Sequence, residues 1–562
     1  MMNLRHILLI CGALGAMAAQ APVAQAQGLV TGEPMGQEAL APTSQQGMED
    51  PPPDALLESL PQEVMESPPD EGRQAEPLPP TTEGPWLDLD PEAWEDLLLE
   101  TLPLEEMPPS ATTEPSSGEL LDSPPPSQAA PDPRVLAVNL LNQGIERYNQ
   151  RNYAAAIEFF TNVLELDPGN VNAYLYRGLA LAQQDQLDLA LVDLNRVIAI
   201  SPNNAIAYLA RGSVFYRQGD MFQAFTDIET ALSIDPDIAN AYLYRGLVDA
   251  NRGRFDLALE DFSSALEIGA NPATAYLLRG FAHEALGDYA EAIADFSRAI
   301  DLGGDRPRAY MGRGVAQYHL GLYDDALRDL NQALRLDDQL ASAYLNRSHV
   351  HFRQGRANRA RQDLDRALAI NPQLAEAYLS RGSIRASQGD WAGAEQDLAR
   401  ALQLNPDAAI AHKLRGDVLR RVGNPVAAIV SYTEALIIDP LYVDAYLARG
   451  KARMATGDAF GAIDDYSQAL AIQPHNLEVY AARGAAFLAV GQAQSAYDDL
   501  SQAILRSPNP NNPEIFFARG MVQARMGDSL GARRDFEQAA TLYLQQGNAS
   551  GYRQTLEQMR AL

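Results

Sequence analysis

The residues that most often carry chemistry are few here: seven histidines and one cysteine in 562 residues. His349 and His351 are two apart, so on a helix they point to different sides. His283 and His319 could approach each other, but nothing supplies a third ligand for a metal. The sequence holds no P-loop, G-x-S-x-G, H-E-x-x-H or dinucleotide fingerprint. No catalytic residue, cofactor or metal is therefore expected. One polar combination does recur: an Arg followed sixteen residues later by an Asp, as in Arg245 and Asp261, Arg279 and Asp295, and Arg313 and Asp329. The planar guanidinium fork matches a carboxylate. A row of ligand-binding arginines would give this pattern. So would a buried or half-buried staple between helices, within a unit or to the next one, and that second reading is the expectation.

These pairs sit inside a repeating unit. Twelve copies start at residues 137, 171, 205, 239, 273, 307, 341, 375, 409, 443, 477 and 513, the last after a two-residue insertion at Asn511-Asn512. A 34-residue period marks a stacked solenoid. In the fifth copy, Tyr276, Arg279, Gly280 and His283 follow the i, i+3, i+4, i+7 rhythm of a first helix. Gly287 supplies the left-handed residue that closes it, and Asp288 can cap the next helix. Ala292, Phe296 and Ala299 give that second helix its inner face. Twelve places after the marker glycine every copy has Ala, from Ala156 to Ala532, which lets two helices approach closely. Proline ends the second helix in eight copies, for example at Pro168, Pro236 and Pro440. Units four to six have Ala270, Gly304 and Asp338 there instead. After the twelfth copy, Asn548 can cap a last helix, 547–562, with Tyr552, Leu556 and Met559 on one side to cover the final apolar face.

The order aromatic, marker Gly, turn Gly, Ala, aromatic or Leu, Ala, Pro resembles the tetratricopeptide repeat over residues 137–546. The resemblance implies antiparallel helix pairs stacked into a right-handed superhelical solenoid, an all-α fold. Its concave groove, in the family, usually binds extended peptides or partner helices. The chain departs from the family just before the marker glycine, where Leu is usual and eleven units have Arg. By resemblance, the groove is lined three places before the marker by Leu243, Leu277 and Met311, and one place after it by Leu247, Phe281 and Val315. Farther along it becomes charged, with Lys413 and Lys451, and unit seven adds Arg353 and Arg356. The Lys-then-Asn arrangement that some relatives use to clamp a terminal carboxylate is missing.

Ahead of the repeats, residues 1–26 read as a secretory signal peptide: a basic start, an apolar run Ile7–Ala19, and Ala24-Gln25-Ala26 before the cut. Cleavage there removes Cys11, the only thiol. Residues 27–133 read as a disordered acidic arm. Gly28–Pro133 holds 22 prolines, 24 acids and the single base Arg73. Two islands in it, Asp54–Pro61 and Asp96–Pro103, share a leucine pattern that suits a docking motif folding on binding. Residues 134–562 hold 50 acids against 41 bases, a balance that argues against a nucleic-acid partner.

The expectation is thus a non-enzymatic, exported scaffold, periplasmic or extracellular, with no transmembrane span after cleavage. It binds a protein or peptide partner in its groove. An autoinhibited adaptor, its groove filled by its own arm through residues 85–106, is the alternative. A remoter one is an accessory subunit of an envelope assembly or of a carbohydrate-modifying enzyme complex.

Overall fold

The computed structural model describes residues 133–303, 307–507 and 511–562. The predicted signal peptide, and the arm up to residue 132 with both leucine islands, lie outside the described residues. Within them are 25 helices and no strand. The helices come in consecutive pairs, one pair per unit, from Pro133–Asn149 with Tyr153–Leu166 to Pro513–Arg525 with Ser529–Gln545. The all-α repeat architecture read from the 34-residue period is the observed one. The residues fall into two compact bodies, 133–384 and 385–562, with the boundary inside the helix Ala375–Ser387.

Each pair closes for the same local reasons. The shared alanines, Ala156 to Ala532, are all fully buried in the seam between the two helices. The marker glycine faces the large residue sixteen places on. A Cβ on Gly246 would lie 2.6 Å from the Phe262 ring, and one on Gly280 would lie 2.9 Å from Phe296. Backbone and ring fill that space together, so the helices meet at close-packed density. In unit seven Ser348 stands at the glycine's place, and it too is buried.

The turn between paired helices needs a left-handed residue, and Gly287 provides it at φ +86°. The first two units lack that glycine and set Arg151 and Asp185 at φ +57° and +58° instead. Second helices end at Leu166, Ile234 and Ile438, two residues before Pro168, Pro236 and Pro440. Unit four has no such proline, and there Gly269 ends the helix at φ +109°.

One detail differs from the sequence reading, at the N-terminal edge. The first helix begins at Pro133, the residue assigned to the end of the arm, because proline's fixed φ suits a helix's first turn. At the other end Asn548 Oδ1 accepts from Gly551 N at 2.9 Å and starts the helix Ala549–Ala561. Its Tyr552 and Met559 pack on the cluster around Phe517, Phe536 and Tyr543.

Candidate partner-binding face

The recurring arginine makes three kinds of contact at once. Arg279 donates from Nε and Nη2 to the two carboxylate oxygens of Asp295 at 2.7 and 2.9 Å. Its Nη1 donates to Ser263 Oγ, on the second helix of the preceding unit, at 3.0 Å. Its guanidinium lies 5.3 Å from the Tyr276 ring centre, one turn back on its own helix. The same geometry joins Arg245 to Asp261 and Glu229, and Arg313 to Asp329 and Ser297. In the second body it joins Arg449 to Asp465 and Thr433, and Arg483 to Asp499 and Ser467. Each arginine thus ties its own helix pair together and ties that pair to the one before.

Asp295, Asp261 and Asp465 are buried, whereas Arg279, Arg245 and Arg449 keep 24%, 25% and 13% of their side-chain surface. The bond to Asp295 holds the Arg279 guanidinium above its ordinary pKa, against the opposing effect of burial. Burial pushes the carboxyls of Asp261 and Asp465 up, although the arginines pull them back. Four residues after the arginine, a second basic side chain often turns toward the same aspartate. Arg385 reaches Asp397 and Arg453 reaches Asp465, each at 2.9 Å, while His283 and His351 stand 3.9 and 3.8 Å from Asp295 and Asp363.

Unit nine breaks the ladder. Ser431 stands where the aspartate belongs and is buried. Arg415 keeps one bond, Nη2 to Glu395 at 3.2 Å, and its buried Nε has no hydrogen-bond partner. Its helices are linked instead by Tyr432, whose OH donates to Asp417 Oδ1 at 2.7 Å. The acceptor on the preceding unit escaped the sequence reading. It is Thr, Ser, Asn, Asp or Glu by turns, so no single residue type marks the place, only the capacity to accept.

The predicted groove residues separate into two groups. Leu243, Leu247, Leu277, Phe281 and Met311 are buried members of one continuous core cluster. The aliphatic stripe is therefore interior packing and not an open surface, which corrects the sequence reading. Successive first helices sit close enough to cover it, as where Met311 Sδ lies 3.2 Å from Ser342 Oγ of the next unit. Val315 is half-buried; Arg353 and Arg356 are exposed. Arg353 Nε donates to Tyr318 OH at 3.2 Å. Lys413 and Lys451 are half-buried and engaged. Lys413 Nζ is 3.3 Å from Asp417, and Lys451 Nζ is 2.6 Å from Glu478 of the next unit.

In the C-terminal half of the first body lies a polar row that the sequence reading did not assemble. Tyr289 and His319 stack at 4.5 Å with their planes 4° apart. Tyr318 packs edge-on against His319, and its ring is 6.5 Å from that of His349. His349 Nε2 meets Ser380 Oγ at 3.1 Å. Burial holds His349 neutral, its pKa pushed down to about 4, with His319 and Arg353 nearby adding to the effect. Glu284 keeps part of its surface, but its Oε2 is buried without a partner, and burial raises its carboxyl to about 8. Among the described residues, no group of three or more His, Cys, Asp or Glu could hold a metal. None of the described helices is long and apolar enough to cross a membrane.

Stacked helix pairs with an arginine frame define a helical-repeat interaction scaffold. Models of the tetratricopeptide repeat match residues 209–274, 277–341, 320–375 and 413–476, and a further one matches 348–417. A TPR-repeat model matches 178–219. Together they cover more than half of the sequence, and the chain belongs to the tetratricopeptide repeat family. No curated protein matches it. Among solved structures, a chain of the APC/C hetero-tetramer Cut9–Hcn1 is 14% identical, with 76% of this chain and 98% of that chain covered at a TM-score of 0.44. Yeast Tom70 is 15% identical, covering 76% and 96% at 0.32. YrrB, described as a TPR protein with an unusual peptide-binding site, is 22% identical, covering 33% and 95% at 0.28. At these scores the likenesses carry no functional weight.

Proposed function

We propose that this chain is a non-enzymatic, exported scaffold that holds a protein or peptide partner on the first helices of units nine to eleven. The observation that carries this reading is the half-buried charged strip Lys413, Asp417, Lys451 and Glu478. Farther back, in units four to six, Leu243, Leu247, Leu277, Phe281 and Met311 fill corresponding places and are buried. Half-buried ion pairs can exchange partners at modest net cost, since an incoming charge replaces the one it displaces. Side chains so placed give register and specificity to an extended peptide of mixed charge. The test compares capture from envelope extract by the mature chain and by Lys413→Glu and Lys451→Glu variants. Loss of the same captured protein from both variants is expected. Equal capture by wild type and variants would refute the strip as the site. Export is tested on the purified native protein: its first residue should be Gln27.

A second reading has its own support. Arg356, Arg359 and Arg366 are exposed on unit seven, and none has an ion-pair partner among the described residues. The segment 28–133 carries 24 acids and one base, so it can engage them as an autoinhibitory arm. Only this reading has partner binding tighten when 28–133 is deleted, and only it weakens arm docking as salt rises.

A further inference from the structure

The places three and eight after the marker glycine face each other across the turn. In unit five they hold His283 and Asp288, with Nδ1 3.6 Å from the carboxylate. In units eight and ten they hold Arg385 with Asp390 and Arg453 with Asp458, each pair at 3.8 Å. Unit four reverses the signs, and Asp249 pairs with Arg254. In units five, eight and ten the basic side chain thus stands between two carboxylates, this one and the ladder aspartate. Unit seven breaks the rule. His351 Nε2 is 3.8 Å from Asp363, but the eighth place holds a second base, Arg356. The His351 ring is set as that of His283 is, with Nε2 toward the ladder aspartate. Its Nδ1 therefore faces the place where Asp288 stands in unit five. That atom is buried without a hydrogen-bond partner, in a residue only 9% exposed. Burial pushes the imidazole pKa down, and Arg347, Arg356 and Arg359 push it the same way, with Asp363 alone opposing them. No side-chain oxygen caps the helix Ala357–Ile370 that starts here, whereas Asp390 and Asp458 cap theirs through Gly393 N and Gly461 N. An acceptor carrying negative charge is what the place lacks.

The surroundings set the charge of that acceptor. In unit five Tyr276, Arg279, His283, Glu291, Asp295 and Arg298 line a surface cavity of about 330 Å³. The same places in unit seven are Tyr344, Arg347, His351, Arg359, Asp363 and Arg366. With Arg356 in place of Asp288, two arginines and three acids become four arginines and one acid. Arg356 and Arg359 are exposed, so the place is open to solvent. We propose that unit seven binds a doubly charged phosphate oxyanion, free or as a monoester, between His351, Arg356 and Arg359. The anion stands where units five, eight and ten carry a carboxylate of their own. It accepts from His351 Nδ1, and the two guanidinium forks close on its outer oxygens. The start of the helix Ala357–Ile370 adds the positive end of its dipole. A lone carboxylate, including one from the segment 28–133, balances only one of the two exposed arginines. The site is thus independent of the autoinhibited reading.

Isothermal titration calorimetry of the full mature chain tests it, in chloride buffer at constant ionic strength, with inorganic phosphate, O-phosphoserine and acetate as probes. Phosphate or phosphoserine should bind one to one, and acetate at least tenfold more weakly. Phosphoserine bound at least as tightly as phosphate assigns the site to an ester; phosphate bound alone assigns it to the free ion. Arg356→Asp gives unit seven the residue of units five, eight and ten, and should weaken the bound probe at least tenfold. Arg359→Glu, the residue of unit five, should do the same. Circular dichroism confirms that each variant is folded. A wild type with no saturable binding of phosphate or phosphoserine overturns the proposal. So does binding that either folded variant keeps in full, or acetate bound as tightly as phosphate, which would give the place to carboxylates such as those of the arm.

Discussion

Removing the Asp295 carboxylate would leave Arg279 half-buried with two donors unmet. Asp295→Ala should cost roughly 3 kcal/mol, the low end for a broken buried pair, because Arg279 keeps some contact with water. Arg279→Leu with Asp295→Leu should cost less than the two single changes summed, which a double-mutant cycle by denaturant unfolding measures. Two titrating groups act in opposite senses. His349 is neutral in the fold, with its pKa near 4 against about 6.5 when unfolded, so stability should fall as pH drops through that window. His349→Gln should flatten the acid side. Glu284 has its folded pKa raised to about 8 from an unfolded 4.5, so its favourable contribution is complete below 4.5 and lost as pH rises toward 8. Glu284→Gln should therefore stabilise at pH 8 by roughly 2 kcal/mol and change little at pH 4, read as melting temperatures at both pH values. The Arg–Asp spacing was legible from sequence because both residue types recur. The polar row was not, since His319, His349 and Ser380 occur once each at their places in the repeat and are brought together only when successive units stack.

At the scale of the helix pair, a few places fix the geometry. Ala292→Leu would push a branched side chain into a fully buried seam and should cost roughly 1–3 kcal/mol. Gly287→Ala places a Cβ on a φ of +86° in open space, so strain alone should cost about 1 kcal/mol. Thermal unfolding checks both. Helix boundaries were readable because alanine, glycine and proline act locally, as at Ala292, Gly287 and Pro236. The groove was misread for a reason equally physical. Period and hydropathy say that Leu243 and Phe281 share a helix face, but not how closely the next helix approaches that face. Whether such a stripe is surface or core depends on the stacking, which no single repeat encodes.

Across the whole molecule each pair touches chiefly its neighbours, so damage should stay local. Hydrogen exchange on Ala292→Leu should show lost protection in units four to six; uniform loss over the first body would contradict that. The same logic gives the missing aspartate of unit nine a mechanical meaning. Bidentate ion pairs with a further acceptor on the neighbouring unit resist shear between successive helix pairs, and in the second body Arg415 has only one bond to give. Stretched between its ends, that body should yield first at unit nine, as a low-force step in an optical trap. Ser431→Asp should raise the force of that step and leave the others in place, and a trace unchanged by the substitution would show that the load is carried elsewhere. A scaffold anchored at one end and loaded at the other would then have a built-in place to give, rather than failing along its whole length.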